Sequence, residues 1–213
     1  MPVNETLVLN DYTEYAKLVT DAYEKLPIFD KKVVKHWDSL IKSCYIWWTR
    51  LISQTDIIFV TEDKKNVGEF TIKGKTYPII FWEGGQPYAN ATEMRNDYKK
   101  SKKLYISIDY SEHPVWSVQD NVIFRSVHDY VVHIRGNNEF GLRGEYKAYN
   151  LHMKLAPNDA LPALFTEIIG QVSVAIIKDI FPVQKIAKIE GFDYVKLGNV
   201  DGYSVEKKQL IKI

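Results

Sequence analysis

The chain has 213 residues, of which 46% are hydrophobic and 13% aromatic, a composition that supports a buried core and excludes a disordered chain. Its 28 Lys and Arg residues against 27 Asp and Glu residues leave a formal net charge of +1, so no global basic field indicates nucleic acid as a partner. Because Cys44 is the only cysteine, the chain can form neither an internal disulfide nor a cysteine-based zinc site.

The N-terminal part, 11–54, is predicted to be helical. Apolar residues recur at helical spacing in "DYTEYAKLVTDAYEKL" (11–26), and "KKVVKHWDSLIKSCYIWWTRLIS" (31–53) carries a broad aromatic stripe that includes Trp37 and Cys44. Such a stripe is typical of core packing, so we assign these side chains to the core.

The next part, 55–110, is predicted to be rich in β-strands. Three short runs of β-branched and aromatic residues follow one another, separated by turn signals: "DIIFVTE" (56–62), "GEFTIKG" (68–74) and "KTYPIIFWE" (75–83). A helix at 91–101 and a strand at 103–108 come next. We therefore expect a small antiparallel β-sheet in residues 56–108.

The third part, 117–190, is predicted to be helical again. Ser117 is a typical N-cap for a helix that reaches Ile134. Two further helices are predicted at about 144–155 and 160–180, and the tail (190–213) is predicted to form short strands. The predicted fold class is therefore α+β: one domain over 1–213, with a mainly helical core of about five helices, the small sheet and the C-terminal strands.

Three consecutive helices of the third part carry polar residues on otherwise apolar faces. At about 100° per residue, Asp129 and His133 share one stripe with Arg125 near its edge, while His128 lies about 100° from Asp129.

The next two helices repeat this pattern. Glu145, Tyr149 and His152 stack on one face of the second helix at spacings i, i+4 and i+7. Glu167 and Gln171, also i and i+4, are the polar pair of the nearly apolar third helix, where a carboxylate is costly to bury without a partner.

If the three stripes meet, they build a site for a divalent metal. The metal ligands would be His128, His133, Glu145 and His152, a mixed nitrogen and oxygen set that suits Zn, Fe or Mn.

Further residues would act on a substrate. Asp129 or Glu167 would serve as general base or orient a metal ligand, and Arg125 or Arg143 would stabilise an anionic substrate, with Gln171 and Tyr149 in support. The competing interpretation of each polar pair is a surface pair or a buried structural hydrogen bond. His128 and His133 are five residues apart rather than four, so "HDYVVH" is not the usual zinc-protease motif.

Four segments resemble the motifs of an uncharacterised bacteriophage protein family. They are "NVIFRSVHDYVVH" (121–133), "FGLRGEYKAYNLH" (140–152), "TEIIGQVS" (166–173) and "FPVQKIAKI" (181–189), and "MRNDYKKSKKLYI" (95–107) resembles the segment upstream. Order and spacing agree over about 95–190. The resemblance marks the same residues, namely His128, Asp129, His133, Glu145, His152, Glu167 and Gln171.

The departures from the family pattern carry information of their own. Val132 replaces a glycine, and Tyr146 replaces a second acidic residue, which argues against a two-metal site. The resemblance implies a phage origin and a location in the host cytoplasm during infection or in the virion, and it implies no reaction.

Three hypotheses about function follow. The first is a metal-dependent hydrolase of a phosphoester or another small-molecule substrate. The second is a structural or assembly component of the virion, such as a head or tail connector, whose partners are other virion proteins and whose His and Glu network is structural. The third is an inhibitor that binds a host protein. No membrane partner is expected, because the apolar stretches are shorter than the roughly 20 residues of a membrane span.

Overall fold

Helices dominate the structure, a computed structural model that describes residues 4–8, 12–54, 58–60, 66–72, 75–80, 86–107, 109–204 and 209–210. This part of the chain contains six helical rods. The first three are α1 (Tyr12–Glu24), α2 (Val34–Gln54) and α3 (Ala91–Ser101). The fourth is α4 (Val118–His128), which continues as the first π turn (Asp129–Arg135), and the fifth is α5 (Leu142–Met153). The sixth consists of α6 (Leu161–Leu164), the second π turn (Phe165–Gly170) and α7 (Gln171–Lys178).

The strands are short and form separate groups. β1 (Asn4–Val8) pairs antiparallel with β6 (Asn199–Ser204), which also pairs with β7 (Gln209–Leu210). β3 (Asn66–Ile72) and β4 (Lys75–Ile80) form an antiparallel hairpin. β2 (Ile58–Val60) pairs parallel with β5 (Lys103–Tyr105).

The predicted α+β class, with one small antiparallel sheet in residues 56–108, is therefore wrong: the chain is mainly helical, and the described strands of this part do not join into one antiparallel sheet. The difference lies in the pairing of β2 with β5, which is parallel. The β3–β4 hairpin and α3 lie between the two strands, and a connection of that length allows the parallel pairing that a tight turn cannot make. The remainder of the predicted β-rich part (55–57, 61–65, 73–74, 81–85 and 108) lies outside the described residues. The assignment of 1–213 to a single domain stays a prediction.

Local signals explain where the helices begin. The predicted N-cap Ser117 is confirmed, because its hydroxyl accepts a hydrogen bond from Asp120 N (3.1 Å) while the Asp120 carboxylate accepts one from Ser117 N (2.9 Å). Asn90 caps α3 in the same way, accepting from Glu93 N at 2.9 Å. Strong capping thus fixes the start of α4, the helix that leads into the site.

The core lies between α1, α2 and the rod that contains the second π turn. α1 packs against α7, and α2 packs against α4 and α6. Lys185, from the segment after α7, joins this arrangement to the end of α1. Its ammonium group donates hydrogen bonds to the carbonyl oxygens of Tyr23, Glu24 and Leu26 at 2.8 to 3.0 Å, and these are groups that a helix terminus leaves unpaired.

One helical stretch is more apolar than the sequence had led us to expect. Asn158–Lys178 has 21 residues and a mean hydropathy of 1.8, which is enough to cross a membrane by length and composition alone. However, 72% of this stretch is buried inside the protein, as in the core helix of a globular domain. Most of its apolar side chains are therefore covered by protein, with Ile176 near its end 43% exposed.

Candidate metal centre

The first π turn brings His128 and His133 to the same side of their helix. Residues five apart on an α-helix point about 140° apart, whereas the hydrogen bonds of a π-helix join residues i and i+5 and place them one above the other. Gly136 N donates to Val131 O, five residues back, at 3.0 Å. The two imidazole rings consequently lie with their centroids 5.1 Å apart.

Glu145, on α5, completes a group of three ligands. Its two carboxylate oxygens lie 3.3 Å from His128 Nε2 and 3.3 Å from His133 Nε2. The three ligand atoms all lie within 4.8 Å of one another, and the His133 side chain is only 1% exposed. The two contacts are made by different oxygens of the carboxylate, so in the absence of an ion Glu145 bridges the two imidazoles. This buried group could hold a metal ion.

Each histidine of the group is oriented by a second contact on its other ring nitrogen. His133 Nδ1 donates to the carbonyl oxygen of Asn138 at 3.1 Å, which directs Nε2 toward Glu145. His128 Nδ1 lies 3.4 Å from His152 Nδ1, and His152 Nε2 lies 3.9 Å from the Cys44 thiol. Metal-binding histidines usually have such a partner behind them. The structure thus places His152, a predicted metal ligand, behind His128 and outside the group of three.

The electrostatics of the group favour an ion pair when no metal is bound. Burial by itself would raise the pKa of Glu145, but hydrogen bonds and charge from His128 and His133 outweigh it and lower the pKa to about 2. Burial likewise opposes a charge on His133, yet its hydrogen bond to Glu145 raises its pKa. His152 behaves differently, because burial and then the charge of His128 hold its pKa well below the usual value. His152 is therefore a neutral partner.

Asp129 is a second carboxylate beside the group. It lines the same cavity as the three ligands, and burial raises its pKa although His133 and His128 oppose the shift. Its carboxylate receives no hydrogen bond from the residues that the structure describes. A carboxylate of this kind is free to accept a proton or a hydrogen bond from a bound molecule.

Arg125 holds the neighbouring loop in place. Its guanidinium group donates to the carbonyl oxygens of Ser107 (2.7 Å), Asp109 (2.8 Å) and Tyr110 (3.2 Å). Burial lowers its pKa, while the charges of Asp129, Asp109 and Glu167 favour the cation. Within the described ranges no carboxylate lies within 4.0 Å of it. Arg125 therefore anchors the loop and supplies a diffuse positive charge to the cavity.

Glu167, on the second π turn, belongs to a separate hydrogen-bond network. Its Oε1 accepts from Trp37 Nε1 at 2.7 Å and from His113 Nε2 at 3.2 Å, and its Oε2 accepts from Gln171 Nε2 at 2.5 Å. Gln171 also donates to Gln184 Oε1 at 2.7 Å. The predicted pair Glu167 and Gln171 is thus in contact, and it lies apart from the three metal-site residues.

Sequence reasoning missed two members of this network. Trp37 was assigned to the core, and it is fully buried, but its indole N–H is aimed at Glu167. His113 lies in the loop before α4, outside every helical stripe. The signal that could have identified them was the buried carboxylate itself, since Glu167 requires donors from elsewhere in the fold.

Both polar networks line one cavity of about 290 Å³. His128, Asp129, His133 and Glu145 line it together with Arg125, Glu167 and Gln171. Its walls include the aromatic residues Tyr88, Tyr105, Phe124, Phe140 and Phe181. Tyr149 does not line it, because its hydroxyl group donates instead to the carbonyl oxygen of Tyr194 at 2.7 Å. The residues predicted from three helical stripes are therefore brought together around one cavity, with Tyr149 and His152 outside its lining.

Comparison of the chain with family models, with curated proteins and with solved structures found no significant match. The resemblance to a bacteriophage family therefore stays a prediction from the sequence.

Proposed function

We propose that the protein is a metal-dependent hydrolase, encoded by a bacteriophage, whose divalent cation is bound by His128, His133 and Glu145. The observation that carries this proposal is the position of these three ligands on the wall of a cavity large enough for a small molecule. Two imidazoles and one carboxylate leave a coordination position for water, as catalytic zinc sites require. Zinc is the first candidate because two imidazoles and one carboxylate are a common ligand set of catalytic zinc, with Fe or Mn as alternatives for the same ligand types.

The charges along the cavity support a bound cation. Four residues with carboxyl groups line it, Asp109, Asp129, Glu145 and Glu167, against the guanidinium of Arg125 and, when no metal is bound, a protonated His133. Burying this excess of negative charge is costly unless a cation or protons offset it. A divalent cation beside Glu145 would offset two of the charges.

The roles of the chain's own residues follow from their positions. A bound cation would lower the pKa of a water molecule and polarise the bond to be cleaved. Asp129 would accept the proton from that water and return it to the leaving group, because its carboxylate lines the cavity and is engaged by no described residue. Glu167 is less suited to this role, since three donors already occupy its oxygens.

Metal analysis of the purified protein tests the proposal directly. We expect about one equivalent of metal, and we expect added zinc to stabilise the apo protein by about 2.7 kcal/mol at 100 times its dissociation constant. For a chain of this size the melting temperature should then rise by roughly 5–10 °C. His133→Ala and Glu145→Gln should abolish both effects, whereas His36→Ala, a histidine on α2 outside the cavity lining, should retain them.

Hydrolysis is tested separately. The zinc-loaded protein should cleave members of a panel of chromogenic esters, amides and phosphoesters, and Asp129→Asn should bind zinc but lose at least a hundredfold in rate. A metal-free protein whose melting temperature zinc does not change would contradict the proposal. It would favour the structural virion component, in which the same residues form a hydrogen-bonded network.

A further inference from the structure

The cavity lining includes a further carboxylate residue, Glu167, whose purpose the proposed hydrolytic centre does not explain. Glu167 lines the cavity, although its side chain is only 4% exposed. A carboxylate this buried usually has a cationic partner, and the identity of its neighbours decides whether it has one here.

Among the described residues, His113 is the titratable group that hydrogen-bonds to Glu167, and its hydrogen bonds show a neutral ring. Its Nδ1 accepts hydrogen bonds from the backbone N–H groups of Val115 (3.3 Å) and Trp116 (3.0 Å), so it carries no proton there. The ring proton is therefore on Nε2, where it is donated to Glu167 Oε1. The other donors are the indole of Trp37 and the amide of Gln171, and both are uncharged.

Arg125 does not neutralise this carboxylate either. No ion pair within 4.0 Å joins the two among the described residues, and the Arg125 terminal nitrogens donate to three carbonyl oxygens. Its positive charge is also shared with Asp109 and Asp129. Among the described residues, Glu167 is thus a carboxylate fixed by three neutral donors, two on Oε1 and one on Oε2, without a direct cationic partner. A carboxylate has about four acceptor sites, so Oε2 can accept one more hydrogen bond from a bound group.

The aromatic walls of the cavity suit the same kind of occupant. Phe181 lines the cavity and is 42% exposed, and its ring stacks on Tyr110 with centroids 4.4 Å apart. Tyr110 is joined to the Glu167 network through Gln184, which donates to the Tyr110 carbonyl oxygen at 3.4 Å. Aromatic faces attract organic cations, and a nearby carboxylate strengthens that preference.

We infer that the Glu167 end of the cavity binds a protonated amine, so that the substrate carries an ammonium group at one end and its hydrolysable bond at the metal end. The position of the hydrolysable bond at the metal rests on the proposed hydrolytic function, whereas the binding of the amine does not. The inference also favours a cationic small molecule over an anionic phosphoester, because the four residues with carboxyl groups along the lining outnumber Arg125 and a protonated His133 together.

A matched set of probes of equal size tests the inference. Benzylamine, benzyl alcohol and benzoate are titrated by calorimetry or ligand-observed NMR into the purified protein, both as isolated and after removal of metal with EDTA. Benzylamine should bind at least tenfold more tightly than benzyl alcohol in both forms, as a charge-assisted hydrogen bond predicts. Benzoate should bind only where metal is present, through the metal end.

Two variants locate the effect. Glu167→Gln should bring the ratio of benzylamine to benzyl alcohol affinity close to one, whereas Glu190→Gln, at a side chain that is 80% exposed, should leave it unchanged. If Glu167→Gln does not fold, the ratio of benzylamine to benzyl alcohol affinity in the natural protein still shows whether the cavity prefers the amine. Equal binding of amine and alcohol, or tighter binding of benzoate to the metal-free protein, would overturn the inference. Loss of metal binding with the amine preference retained would refute the metal centre alone.

Discussion

Replacing His152 tests whether this residue binds the metal directly or only orients the ligand His128. The side chain is 1% exposed, and its Nδ1 lies 3.4 Å from His128 Nδ1. We predict that His152→Leu, which fills a similar volume, weakens zinc binding by about tenfold, or about 1.4 kcal/mol. Loss of an orienting partner typically costs 10–100-fold, and the lower end applies because 3.4 Å is longer than a good N–H hydrogen bond. His128 also keeps its contact with Glu145.

His152→Asn is the matched control. Its side-chain amide lies close to the position of the imidazole Nδ1, so the contact with His128 is retained while the contact with Cys44 is lost. We expect most of the affinity to return in this variant. Cys44→Ala, which removes the more distant contact (3.9 Å), should change affinity by less than about threefold.

Competition with a chromophoric chelator measures the affinities, and the absorption spectrum of the cobalt-substituted protein reports the number of ligands. The spectrum of His152→Leu should retain the coordination of the natural protein, with unchanged thermal stability of the metal-free form. Natural affinity in His152→Leu would show that the residue has only a packing role. A loss far above a hundredfold, with a spectrum that shows one nitrogen ligand fewer, would make His152 a direct ligand and refute this account.

Two more predictions concern the same centre. The pKa of His133 is raised, and its proton must leave before a cation binds. Zinc affinity should therefore fall about tenfold per pH unit below that pKa and level off above it. Zinc titrations between about pH 6 and 9 will check this, and constant affinity over the range would contradict it. Gly144 precedes the ligand Glu145, and a Cβ on it would overlap the backbone carbonyl of Glu139. Gly144→Ala should therefore lower the free energy of unfolding in urea by about 1–3 kcal/mol and weaken zinc binding, whereas Lys147→Ala on the exposed face should change stability little. Equal stability of the two variants would refute the clash.

The helices and most of the site residues were within reach of the sequence, and the sheet was not. Capping and apolar periodicity are local properties, so the N-cap Ser117 and the helix at 91–101 could be predicted from their own residues. Strand pairing depends on contacts between distant segments. β2 pairs in parallel with β5 across the long intervening chain, and β1 reaches β6 from the opposite end of the sequence.

The same distinction applies to the residues around Glu167. Trp37 and His113 are 130 and 54 residues away from it along the chain, and neither lies in a pattern that indicates a partner. What the sequence did show was the need for such partners, because a carboxylate within "LFTEIIGQVSVAII" requires donors if it is buried. The types of residue that would meet it could be inferred, but their positions could not.

The first π turn explains why helical spacing selected residues that line one cavity but arranged two of them incorrectly. A rotation of 100° per residue separates His128 from the stripe of His133, whereas the wider turn places both imidazoles on Glu145. π turns are rare because their hydrogen bonds are less favourable than those of an α-helix, so a chain that forms two of them needs compensation from packing. Here the compensation is available at both places, since α3 and α5 pack against the first π turn and α1 and α5 pack against the second. The geometry of the centre therefore depends on tertiary packing that a reading of single helices cannot include.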